Sequence, residues 1–73
     1  MNAPRDAEAT TDYEIVVHGQ LGEHAAETLG ARRCEVDGGG TRIVIGIIDQ
    51  PHLHGVLEQL RDLNIEIERV NPV

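Results

Sequence analysis

The sequence has no lysine, serine, phenylalanine or tryptophan, a single cysteine and a single aromatic residue, Tyr13. Each absence excludes something. A lone Cys34 cannot close an intrachain disulfide, and it fits a reducing, cytoplasmic setting. With Tyr13 as the one aromatic, and facing inward by strand alternation, there is no platform on which bases could stack, so the common mode of single-stranded RNA recognition is missing. Six arginines stand against 13 carboxylates, for a formal charge of −7. That balance argues against nucleic acid and against anionic membranes, both of which need clustered positive charge. No apolar run approaches the roughly 18 residues of a membrane helix. No basic and then apolar leader opens the chain, so no signal peptide is expected.

What remains is 73 residues, enough for one small domain. A chain this short buries a modest share of its surface, and association with another chain is the expected support. Residues 1–12 (MNAPRDAEATTD) are polar and aperiodic and read as a disordered tail, leaving 13–71 as a single domain.

The pattern within that domain is β-α-β-β-α-β. Tyr13–His18 alternates as a strand, Gly19–Gly22 turns the chain, and Glu23–Leu29 reads as a short helix stopped by Gly30. Ala31–Asp37 is a second strand, with Cys34 and Val36 inward. Gly38, Gly39 and Gly40 mark a hairpin, and Arg42–Ile48 is a third strand, apolar on both faces apart from Gly46. Asp49 stands where an N-cap belongs and Pro51 in the first turn. Leu53, Val56, Leu57, Leu60 and Leu63 form a helical stripe, and Asn64 suits a left-handed cap. Ile65–Val70 alternates again, with Ile65 and Ile67 inward, and the chain frays from Asn71.

Two split β-α-β units predict an α+β, ferredoxin-like sandwich: a four-stranded antiparallel sheet in the order 4-1-3-2, with both helices on one face. The strand that is apolar on both faces is then a central one. The other face of the sheet is open. Alternation places Val16, Val44 and Ile48 at its centre, ringed by Glu14, Glu35, Asp37, Glu66 and Glu68. A small monomer rarely leaves such a patch uncovered, so this face is expected to bind a second copy or a partner with a basic rim.

Four histidines raise the question of metal. His52 and His54 are two apart on a helix and point about 200° from one another. His18 and His24 fall at the other end of the sheet, so no metal site is expected. Cys34 faces inward as core filling rather than as a nucleophile. Gly38–Gly40 precedes a strand, where a phosphate loop would precede a helix. No cofactor and no catalytic set is expected.

The run TRIVIG followed by DQPHLHGVL resembles a group of short actinobacterial proteins that share a D-Q-x-x-L-H-G-(apolar)-L helix start. The matching residues are Thr41, Gly46, Asp49, Gln50, Leu53, His54, Gly55 and Leu57, and Asn64 stands where that group often has glycine. The resemblance covers about 30 residues, implies the fold of the second half, and draws attention to Gln50, His54 and Gly55. It implies no activity.

Three functional readings follow. The first is a non-enzymatic interaction or regulatory module, homodimeric through the open face. The second is a small-molecule sensor resembling ACT modules, with its ligand near His18, Gly19 and Gly22 or at a dimer edge. The third is a minimal dimeric enzyme using His18 or His54 as acid–base.

Overall fold

The computed structural model describes residues 10–73; the part of the expected tail at 1–9 lies outside them. Six elements follow in the order β1 (Thr11–His18), α1 (Glu23–Leu29), β2 (Ala31–Asp37), β3 (Gly40–Ile47), α2 (Gln50–Asp62) and β4 (Ile67–Pro72). The strands form one antiparallel sheet in the order β2-β3-β1-β4, which is 4-1-3-2 counted from the other edge. The two long central strands are therefore β3 and β1.

Local chemistry explains the boundaries. Gly38 and Gly39 both take left-handed φ, at 55° and 90°, which makes a two-residue hairpin whose twist matches the strands. Gly40 already belongs to β3, and a Cβ there would stand 3.1 Å from the Val17 carbonyl oxygen. At the start of α2, the Asp49 side chain accepts from His52 N at 2.9 Å, as an N-cap should. The His52 ring answers it: Nδ1 accepts from Ile48 N at 3.0 Å. The arrangement is a variant of the capping box: histidine stands in the role usually held by Glu or Gln, and its ring accepts from the residue before the N-cap rather than from the N-cap itself. The far end closes as a Schellman motif. Ile65 N bonds to Leu60 O at 3.0 Å, Asn64 N bonds to Arg61 O at 2.9 Å, and Asn64 has φ 62°.

The core lies between the sheet and the two helices. Ile15 and Val17 from β1, Ile43, Ile45 and Ile47 from β3, Ala26 and Leu29 from α1, and Leu53, Val56 and Leu60 from α2 are all buried. Side chains of this size contribute about 1.5–3 kcal/mol each on burial. Tyr13, Cys34 and Val70 pack against the same cluster. Thr41 is the one buried polar residue among the described residues, and it is fully satisfied. Its Oγ1 accepts from Leu21 N at 3.0 Å and donates to Gly19 O at 2.8 Å.

Several expectations are corrected: β3 begins at Gly40 rather than Arg42, and Val36, expected inward, is exposed. β1 begins at Thr11, because Thr11 and Asp12 pair with Ile47 and Gly46. β3 ends at Ile47, so Ile48 stands beyond the strand and is 57% exposed. β4 starts at Ile67 and runs on through Asn71 and Pro72, rather than spanning 65–70. It also carries a bulge: Val17 pairs with Ile67 while Val16 pairs with Arg69, which leaves Glu68 as the extra residue. The bulge resets the alternation, so that Val70, opposite Ile15, packs inward.

Candidate interaction face

The helices leave one side of the sheet uncovered. Its side chains are ordered by register. Counted from β2 to β4, one row reads Arg33, Val44, Glu14, Asn71 and the next reads Glu35, Arg42, Val16, Arg69. The open face is thus a mosaic of charges of both signs, where an acidic ring around an apolar centre was expected. Val44 is only 8% exposed, and Val16 is half-buried. Ile48 lies past the end of β3, and Glu66 precedes β4, where its carbonyl accepts from His18 N at 2.8 Å. These two residues do not join Val16 and Val44 in one patch.

Arg42 organises the middle of the face. Its Nε donates to Glu14, and its Nη1 reaches Glu35 at 3.5 Å. The hydrogen bond from Arg42 holds the Glu14 carboxyl below its ordinary range, helped by the charges of Arg42 and, at longer range, Arg69, and opposed by desolvation. Glu14 in turn raises Arg42, which stays charged throughout. A second tie crosses three strands. Arg32, at the irregular start of β2, extends over Gly46 on β3 to reach Asp12 on β1, with Nη1 to Oδ1 at 3.2 Å. A Cβ at Gly46 would stand 2.7 Å from Arg32 Nη2, so the glycine in this otherwise apolar strand makes room for that crossing. At the hairpin end, His18 Nδ1 lies 3.3 Å from Glu68 Oε2. Arg69 makes no ion pair among the described residues.

The predicted ligand turn is closed by its own hydrogen bonds. Gly19 N donates to Gly39 O at 2.7 Å, and Thr41 holds Gly19 and Leu21, while Gly22 is exposed and N-caps α1. The nearest concavity opens beside it on the sheet face. It is a groove of about 360 Å³ between the hairpin and β4, lined by Val16, His18, Gly39, Glu68 and Arg69 among others. An apolar cleft of about 330 Å³ also separates α1 from the end of α2, where Leu63 is 55% exposed.

The start of α2 holds the remaining candidates. Asp49 and His52 cap the helix, and Gln50 borders a shallow groove with Thr11, Tyr13 and Ile48. His54 and Gly55 face solvent, and nothing stands within 4 Å of a Cβ placed at Gly55. Among the described residues no group of three or more His, Cys, Asp or Glu side chains is placed to hold a metal ion. Cys34 pairs with Ile43 in register, and its Sγ lies 3.9 Å from Leu21 O.

Sequence reasoning missed Arg32, Arg42 and Arg69 as residues of this face. The signal existed for Arg42, whose parity in the third strand matches Val44. It did not exist for Arg32 and Arg69, whose sides are set by strand irregularities.

Among the described residues no helix is long and apolar enough to cross a membrane. No curated protein and no solved structure matches the chain. A family model described as a domain of unknown function (DUF8691) matches residues 12–71, from the first β1 carboxylate tied to Arg32 through to the last residue but one of β4. The match takes in both helices and nearly the whole sheet, and the chain belongs to that family.

Proposed function

We propose that the chain is a non-enzymatic interaction module of ferredoxin-like form, working in the cytoplasm and associating with a second copy of itself through the open face of its sheet. One observation carries this reading. The helices cover one side of the sheet, and the other presents both signs of charge around Val16 and Val44. A surface with both signs can complement itself under a two-fold axis, as an isologous interface requires. The absence of an aromatic on this face, with Tyr13 packed toward the helices, favours a protein partner over nucleic acid. The Asp49–Leu57 pattern supports placing the chain with the actinobacterial D-Q-x-x-L-H-G-x-L group.

The test is solution mass by light scattering across a dilution series. The expected mass is twice the 8.0 kDa of one chain, falling to one chain in Val16→Glu while the far-UV dichroism is retained. Val16 is the better site than Val44, because burying a carboxylate at the 8% exposed Val44 would also threaten the fold. A mass unchanged by Val16→Glu would sink the open-face dimer.

The groove beside His18 and Arg69 favours a second reading, a small-ligand sensor of ACT-like type. A ligand that binds only the folded chain raises its melting temperature. A thermal-shift panel of free amino acids and nucleotides therefore tests it, and a flat panel would remove it.

A further inference from the structure

The central row of the open face is asymmetric in charge. From β2 to β4 it reads Glu35, Arg42, Val16, Arg69, with an acid at one end and a base at the other. The ends are three strand spacings apart, about 14 Å at the backbone, so they do not meet within one chain. Both ends are poorly satisfied there. Arg69 makes no ion pair among the described residues, and the one contact of Glu35 is the 3.5 Å approach to an Arg42 already bonded to Glu14. The bulge at Glu68 is what brings Arg69 onto this face, opposite Val16.

Resting on the open-face dimer proposed above, we infer that the two copies stack with their two-fold axis along the strands, so that Arg69 of each meets Glu35 of the other. Such an axis reverses the row. Glu35 then faces the partner's Arg69, and Arg42 faces the partner's Val16, whose apolar surface can pack on the arginine stem. The other in-plane choice, an axis across the strands, sets Arg69 over Arg69 and Glu35 over Glu35, and like charges in contact oppose it. Stacked sheets lie about 10 Å apart, a gap that a glutamate and an arginine reaching from opposite sides can close. The chosen axis also brings Asp37 toward the partner's Glu68. In that row Glu68 already lies beside His18, with Oε2 3.3 Å from the ring Nδ1.

The test is a charge exchange, read by light scattering and sedimentation on chains whose dichroism matches the wild type. Both positions are exposed, so the fold should survive. Arg69→Glu alone sets two glutamates against each other twice, and Glu35→Arg alone does the same with arginines. Each is expected to weaken the dimer roughly tenfold or more. The double variant Glu35→Arg/Arg69→Glu restores both contacts and is expected to dimerise again. Mixing the two single variants should give a heterodimer that neither forms alone. A wild-type dimer that Val16→Glu dissociates, but that ignores Arg69→Glu or is not restored in the double variant, overturns this arrangement and leaves the open-face dimer standing. A wild type that is monomeric at every concentration overturns both.

Discussion

At the scale of single residues, two side chains carry more than their position in the sequence advertises. Thr41 closes the turn after β1 from inside the core, as donor to Gly19 and acceptor from Leu21. Thr41→Val keeps the shape and strands the Leu21 N–H in a buried site, at a cost of about 1–3 kcal/mol. Urea denaturation should show that loss as a lower midpoint with an unchanged slope. Glu14 gives a pH dependence whose sign can be worked out. Its carboxyl in the folded chain sits below its ordinary value near 4.5, so its pairing with Arg42 stabilises the fold fully above that value and is lost as pH falls below it. Acid unfolding of Glu14→Gln should therefore be less steep in that range than that of the wild type. Equal slopes would remove the Glu14–Arg42 pair as a contributor. Neither role could be read from the sequence, because both depend on which residues β3 sets beside β1. Threonine at 41 and glutamate at 14 look like ordinary strand positions until the register is known.

Elements were more legible than contacts. Both helices, the second strand and the hairpin were readable because their limits are written in local chemistry: Gly30, Gly38–Gly39, Asp49 and Asn64 each adopt the backbone or cap that their residue types favour. β4 was misplaced because alternation assumes a strict period of two, and the bulge at Glu68 breaks it. The start of β1 was missed because Thr11 and Asp12 are polar, and their strand character comes from pairing with Ile47 and Gly46 rather than from propensity. The legible features of α2 make a paired prediction. Asp49→Ala removes the cap and should cost about 1 kcal/mol. Gly55→Ala fills open space on the outer face and should stabilise by roughly 0.5–1 kcal/mol. Thermal melts of the two variants should move in opposite directions. A destabilised Gly55→Ala would mean that something approaches the helix at that turn.

For the whole molecule, the half of the site that was legible is the half dictated by topology. An order of β-α-β-β-α-β with both helices on one side leaves a bare sheet face whatever the details. The character of that face was misread as apolar within acids. Arg32 and Arg69 reach it through irregular pairing, and Arg42 stands between Glu14 and Glu35 at its centre. If two copies cover this face, folding and association are linked, and the melting temperature should rise with chain concentration. A melting temperature independent of concentration, over a range in which the mass stays double, would mean that the dimer survives unfolding of its sheet and would contradict the open face as its interface.

One hydrogen bond gives the sheet a further property. Val73 N donates to Asp12 O at 2.9 Å, so the start of β1 and the end of β4 lie side by side. From Asp12 to Val73 the path of the chain is in effect a ring with a small gap. A short linker across that gap, with new termini cut between Gly38 and Gly39, would give a circular permutant that keeps every strand neighbour and loses only the hairpin turn. In that permutant β2 and β3 would become the outermost segments of the chain while keeping their places in the sheet. Its native-like dichroism would show that the architecture is held by side-by-side pairing rather than by the order in which the strands are threaded.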